Sequence, residues 1–212
     1  LVREHALCLS LAAAQVGSAQ IRNAGTIGGN VANASACADG ATALTALGAF
    51  VITVDGAGQR RARPLDEVVL GANRTSLRHD EVILAFDFPA LGVGHRSAFA
   101  KIGSRTAVSV ARLSAALVVR FDAAAGVLVE ARVALGAVGE RAFRVPELEA
   151  MLEGRAADDE TARLFADGCV AAVQASIPGR YSLPYKRHAA VGLAYDAWNM
   201  LALSAPSEPA WV

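Results

Sequence analysis

The sequence is poor in residues that build metal sites and disulfide frameworks. Its three cysteines, Cys8, Cys37 and Cys169, are far apart and show no Cys-x-x-Cys spacing. This argues against a disulfide scaffold and against an iron–sulfur or zinc site, and it points to a reducing, cytoplasmic compartment. The four histidines, His5, His79, His95 and His188, are equally scattered, with no His-x-x-x-His pair, so no metal is expected on this polypeptide. An excess of one charge is also missing. Twenty basic and twenty acidic side chains give a formal net charge of zero, so no global field recruits nucleic acid or an anionic membrane. No apolar run reaches the roughly 20 residues needed to cross a bilayer, and no membrane insertion is expected. The Gly-x-Ser-x-Gly elbow, the phosphate-binding P-loop and the Gly-x-Gly-x-x-Gly fingerprint are all absent, leaving no assembled catalytic constellation.

What is present is a large apolar fraction, 54% hydrophobic against 19% charged, in a chain of 212 residues. That is enough for a real core in one large or two small domains. The opening LVREHALCLSLAAAQ has the early Arg and short apolar stretch of a leader. Leu7, Leu9, Leu11 and Ala14 also suit a short buried amphipathic helix, and that reading is preferred. The chain opens with Leu rather than Met, which suggests that something lay upstream.

Alternation and turn residues predict most of the remaining elements. Phe50–Val54 and Gln59–Arg63 read as a hairpin around Asp55-Gly56-Ala57-Gly58. Arg60, Arg61 and Arg63 on its second strand read either as charges protecting an edge or as a phosphate-binding patch. A short helix or turn is expected over Leu65–Leu70 and a strand over Val82–Phe88, ended by Pro89. The glycines of Leu91-Gly92-Val93-Gly94-His95 mark a boundary between residues 1–92 and 93–212. In the second unit, Ala111, Leu113, Ala115, Leu117, Val119 and Phe121 share one strand face, and Arg112, Ser114, Ala116, Val118 and Arg120 share the other. Val127, Val129, Ala131, Val133 and Leu135 alternate against Glu130 and Arg132, predicting a long antiparallel hairpin with one wet face. Three helical stripes follow: Leu148, Met151 and Leu152 after Pro146; Ala162, Phe165, Cys169 and Val173 after Asp158 and Asp159; and Val191, Tyr195, Trp198 and Ala202. The fold class is α+β.

The most informative stretch is Thr26-Ile27-Gly28-Gly29-Asn30, between Ile21-Arg22-Asn23-Ala24-Gly25 and Ala34-Ser35-Ala36-Cys37-Ala38-Asp39. It reads as a ligand-holding loop whose glycines reach positive φ and expose bare backbone, with Thr26, Asn30, Ser35 and Asp39 offering polar contacts. An ordinary tight turn is the competing reading. The run QIRNAGTIGGNVANASACAD resembles the second flavin-contacting segment of the FAD-binding subunits and domains of molybdenum hydroxylases, the family of xanthine dehydrogenase and aerobic carbon monoxide dehydrogenase. The resemblance continues through Asp80–Pro89 and Ala98–Arg105 to Tyr185-Lys186-Arg187, nearly the whole chain.

The resemblance implies an oxidoreductase component: an FAD-binding subunit or fragment that carries electrons from iron–sulfur clusters through FAD to NAD, oxygen or a quinone. The expected partners are an iron–sulfur subunit and a molybdopterin-binding large subunit, which carry the clusters and the molybdenum cofactor. By the same likeness, residues 1–92 form the second lobe of a PCMH-type FAD-binding domain, and 93–212 form the C-terminal flavoprotein domain. Thr26, Gly28, Gly29 and Asn30 match the loop near the FAD diphosphate and ribityl chain. Ser35 matches a polar neighbour that could equally cap the helix near Asp39. Asp39 matches an acceptor of hydrogen bonds from the cofactor, Ile83 an aliphatic neighbour of the isoalloxazine ring, and Lys101 a cation beside the flavin. Ala36 stands where the family often has Pro. The family's N-terminal FAD lobe has no counterpart in these residues, so a fragment, a split subunit and a truncated protein all stay open. A docking module that keeps the scaffold without flavin is the second reading.

Overall fold

The computed structural model describes residues 1–105 and 108–203. Five helices come first: α1 (Val2–His5), α2 (Leu7–Ala14), α3 (Ala19–Ala24), α4 (Ile27–Ala32) and α5 (Asp39–Leu47). α2 buries Cys8, Leu9 and Ala12, whereas Ala14 is exposed, so its inner face is rotated from the Leu7, Leu9, Leu11, Ala14 stripe. α5 is buried almost all round and stops at Gly48, which takes the left-handed conformation (φ 67°) that closes a helix C-terminus without a Cβ clash.

The expected hairpin is β1 (Phe50–Asp55) with β2 (Arg60–Pro64), and β5 (Glu81–Asp87) pairs on the other side of β1 to give the order β2-β1-β5. Asp55 Oδ1 accepts from the amides of Ala57 (3.1 Å) and Gln59 (2.9 Å), which fixes the turn. Two of the three arginines of β2 serve the sheet itself, while Arg60 is exposed. Arg61 pairs with Asp55 at 3.2 Å and Arg63 with Glu81 at 2.7 Å, and Glu81 also accepts from the Thr53 hydroxyl. Between β2 and β5 lie the short α6 (Leu65–Val68), where a helix or turn is expected, and a small ribbon of β3 (Val69–Gly71) and β4 (Arg74–Thr75).

The second half is one antiparallel sheet, β6 (His95–Gly103), β7 (Ala111–Asp122), β8 (Val127–Gly136) and β9 (Phe143–Arg144), followed by α7 (Pro146–Leu152), α8 (Asp159–Ser176) and α9 (Leu183–Leu203). The expectation of one wet face on the β7–β8 hairpin fails. Leu113, Ala115, Leu117 and Val119 pack under α7, α8 and α9 with Leu148, Phe165 and Leu193. The opposite face, Ala116, Val118, Ala134 and Phe99, packs against Val31, Leu44 and Leu47 from the first half. The sheet is therefore a middle layer, and its second face is covered because Ser114, Ala116 and Val118 are small enough for α5 to lie on them. Arg132, read as facing water, instead donates to the carbonyl of Leu47 at 2.8 Å, at the C-terminal end of α5, where a cation is favoured.

Three further details differ from the sequence reading. The β7–β8 register shifts between Arg120 and Phe121, so Val129 drops out of the ladder and Leu128, not Val127 or Val129, is buried. Met151 is 50% exposed, while Leu148 and Leu152 are buried as expected. α9 packs through Ala190, Leu193, Ala194, Ala197 and Leu201; Val191 is outside, Tyr195 and Trp198 sit at the margin, and Ala202 is outside the described side chains. The small residues let α9 approach closely, which pushes its aromatics to the border, where the Trp198 ring meets Phe165 at 5.9 Å between centroids. α8 matches its stripe, and Asp158 caps it by accepting from the Thr161 amide at 2.9 Å.

Candidate functional site

The Thr26–Asn30 stretch is the start of a helix rather than a positive-φ loop. Thr26 is the N-cap of α4, and its hydroxyl accepts from the Gly29 amide at 2.9 Å. Neither Gly28 nor Gly29 has positive φ. Once the Thr hydroxyl satisfies a first-turn donor, helical φ/ψ suits both glycines, and their value lies in the missing side chains. The first-turn amides of Ile27 and Gly28 keep no carbonyl of their own helix to bind.

A cleft of about 620 Å³ runs along this helix, lined by Ala14, Arg22, Thr26, Gly29, Asn30 and Gly40. A second cleft of about 510 Å³, lined by Gln15, Arg22, Lys101 and Ser109, adjoins it through the shared Ala14 and Arg22. Arg22 is anchored between them by bonds to the carbonyls of Val16 (3.1 Å) and Gly17 (3.0 Å).

Asp39 and Lys101 are brought together across 62 residues of sequence. Lys101 Nζ lies 2.5 Å from Asp39 Oδ2 and also donates to the Gln15 carbonyl at 3.0 Å, tying the start of α5 to the end of α2. Both side chains are nearly inaccessible, 6% and 5% exposed. Burial pushes the Asp39 carboxyl above its ordinary pKa, although the Lys101 ammonium pulls the other way. Asp39 Oδ1 and Asn30 Oδ1 are buried and accept no hydrogen bond among the described residues. A Cβ on Gly40 would stand 2.6 Å from that Asn30 oxygen, so glycine is what lets the carboxamide lie there.

The other sequence candidates are placed differently. Gly28 turns toward Ile83, whose side chain would lie 3.8 Å from a Cβ there, so Ile83 backs the glycine helix and is absent from the lining of both clefts. Ser35 does not cap α5, whose N-cap is Ala38 with no side-chain cap; its hydroxyl accepts from the Cys37 amide at 3.3 Å inside the preceding turn. Arg22 and Gly40 were not singled out by the sequence reading. Arg22 lies inside the Ile-Arg-Asn segment, and Gly40 is in the first turn of α5, where its packing reason is the Asn30 carboxamide beside it. Among the described residues no three His, Cys, Asp or Glu side chains converge as a metal site, and no helix is long and apolar enough to cross a membrane.

Residues 1–91 match the FAD binding domain in molybdopterin dehydrogenase, and residues 98–201 match the CO dehydrogenase flavoprotein C-terminal domain. The nicotinate dehydrogenase FAD-subunit of Eubacterium barkeri is 33% identical over 163 residues, 76% of this chain and 54% of that protein. The carbon monoxide dehydrogenase medium chain of Hydrogenophaga pseudoflava is 29% identical over 191 residues, 90% and 65% of the two chains. A solved carbon monoxide dehydrogenase from Hydrogenophaga pseudoflava shares the fold with a TM-score of 0.84 and 28% identity, covering 96% of this chain and 70% of that one. Quinoline 2-oxidoreductase from Pseudomonas putida 86 gives a TM-score of 0.81 at 26% identity, covering 95% and 70%. The chain spans between about half and two thirds of the length of the curated relatives it matches. Two consecutive domain matches, carried on one shared fold, make the chain a member of the FAD-binding flavoprotein family of the molybdenum hydroxylases.

Proposed function

We propose that the chain is the FAD-holding portion of an oxidoreductase in this family, passing electrons from iron–sulfur clusters on a partner subunit to a separate acceptor. A molybdopterin-binding large subunit is the second partner, and substrate oxidation would belong to it. On this reading, residues 1–92 are the second lobe of the FAD-binding domain, and residues 93–212 are the C-terminal flavoprotein domain. The matches at 1–91 and 98–201 support that division. A cytoplasmic setting fits three free cysteines, two of them buried.

The observation that carries the proposal is the pair of buried acceptors, Asn30 Oδ1 and Asp39 Oδ1, that find no donor among the described residues, with Asn30 and Gly40, the neighbour of Asp39, lining the glycine-walled cleft. A buried acceptor left without a donor costs about 1–3 kcal/mol, so two in one place call for a ligand rich in O–H and N–H groups. FAD fits: its ribityl and ribose hydroxyls and its ring N–H are donors, and its diphosphate suits the open amides of Ile27 and Gly28. When bound, FAD supplies two-electron and one-electron redox chemistry that no side chain here possesses. The chain's own work is to hold and orient. Thr26 fixes the first turn of α4, Gly29 keeps the wall low, Ile83 supports Gly28 from behind, and Lys101 holds the Asp39 carboxyl in place through their ion pair. Ser35 shapes the turn that delivers Asp39.

A flavin titration of the purified protein tests this. One FAD per chain, bound at least about tenfold more weakly when Asn30 becomes Leu, supports it. A folded protein that takes up no FAD would leave the docking-module reading in its place.

A further inference from the structure

A third cleft, of about 500 Å³, opens where the Cys37 turn meets the start of α9. Arg112 reaches it from β7, Arg180 from the turn before α9, and Lys186 from the first turns of α9. Tyr181 and Tyr185 add two phenols, and no Asp or Glu lines it. None of the three cations takes part in an ion pair among the described residues. This contrasts with Arg61, Arg63, Arg78, Arg132 and Arg144, all matched to carboxylates.

The arrangement has a cost that isolated surface charges avoid. Lys186 is partly buried and is held by one bond, to the carbonyl of Ala137, a residue at φ 59°. An ammonium has three donors, so Lys186 retains capacity toward the cleft. Burial, and after it the neighbouring Arg180 and Arg112, pull its pKa down against the opposing influence of Cys37. Like charges brought from three separate elements to one concavity repel, and a multiply charged anion relieves that repulsion while accepting hydrogen bonds from guanidinium, ammonium and phenol together.

We propose that this cleft binds a phosphate-bearing small molecule, a phosphate ester or a diphosphate, through Arg112, Arg180 and Lys186, at a place separate from the flavin. The FAD diphosphate is the other source of the same chemistry, and the experiment separates the two. The proposal does not depend on FAD binding.

Cys37 reports on occupancy. It lines the cleft and is half-buried, whereas Cys8 and Cys169 are buried and their thiols are pushed up to about 11 and about 12. Iodoacetamide alkylation of the native protein, read by mass spectrometry, therefore follows Cys37. Inorganic pyrophosphate at ten times its Kd is expected to slow Cys37 labelling about tenfold and to raise the Tm. Both effects should vanish in Arg112→Gln/Arg180→Gln. Arg180→Glu, in an exposed turn, should abolish them in a protein with an unchanged circular dichroism spectrum. Equal protection in these variants, equal protection by chloride at matched ionic strength, or no protection of the parent protein would overturn the proposal. It would also fall if Arg112→Gln/Arg180→Gln lost flavin in proportion to the lost protection, because the anion would then be the flavin's own diphosphate.

Discussion

Lys101 and Asp39, 62 residues apart in sequence, form a buried ion pair 2.5 Å long, with Lys101 on the lining of the second cleft and Asp39 behind it. Lys101 therefore acts first on Asp39 and on the Gln15 carbonyl, and any electrostatic influence on a bound flavin comes from a cation already paired with a carboxyl group. Removing one partner of a buried pair leaves an uncompensated charge, which costs about 3–5 kcal/mol. Lys101→Met should fall in that range by chemical denaturation, and Lys101→Met combined with Asp39→Asn should recover a large part of the loss. Additive losses in this double-mutant cycle would show that the two residues are not coupled.

Gly40→Ala separates the site from the fold. The new methyl would meet only the end of the Asn30 side chain, at 2.6 Å from Oδ1, so the carboxamide must swing away while the backbone stays. FAD affinity should drop about tenfold or more, equivalent to about 1.4 kcal/mol or more, with little change in Tm. Unchanged affinity would remove Asn30 from the binding set.

Gly136→Ala makes the opposite prediction. A Cβ there would stand 2.0 Å from Thr42 Oγ1 and 2.6 Å from Ser114 Oγ, inside the contact between α5 and the middle sheet. Overpacking of this kind costs about 1–3 kcal/mol. A lowered denaturation midpoint is expected, and an unchanged one would mean that α5 does not press on the sheet as described.

The pH dependence of stability combines two carboxylates of opposite sign. The Thr53 hydroxyl, the Arg78 amide and Arg63 hold Glu81 below its ordinary pKa against the effect of burial. Its contribution is therefore full above the unfolded glutamate value and is lost as pH falls through the lower folded value. Asp39 is raised by burial, so its contribution is full below the unfolded aspartate value and is lost as pH rises through the folded one. In acid melting curves, Glu81→Gln should flatten the loss of stability and Asp39→Asn should steepen it. Parallel curves for both variants would contradict this assignment.

The sequence disclosed elements wherever local chemistry decides them: the Asp55–Gln59 turn, the Asp158 cap, Pro146 at the start of α7, and the Ala162, Phe165, Cys169, Val173 face of α8. It misled where a distant layer decides. Ser114, Ala116 and Val118 look like a tolerable wet face until α5 lies on them, and the Val129 bulge moves burial to Leu128 without any turn residue to announce it. At the site, the polar residues were visible as a cluster in sequence. The helical state of Gly28 and Gly29 depends on one cap bond, and the Asp39–Lys101 pair on strand placement, which no local pattern encodes.

The most direct test of the central claim is a flavin titration, followed by visible absorbance and fluorescence, on the parent protein and on Asn30→Leu. The account predicts saturation at one FAD per chain in the parent, and at least about tenfold weaker binding in Asn30→Leu at an unchanged Tm, because an acceptor made for the ligand has been removed. Identical titration curves for the two proteins, or no FAD uptake by the folded parent, would contradict it.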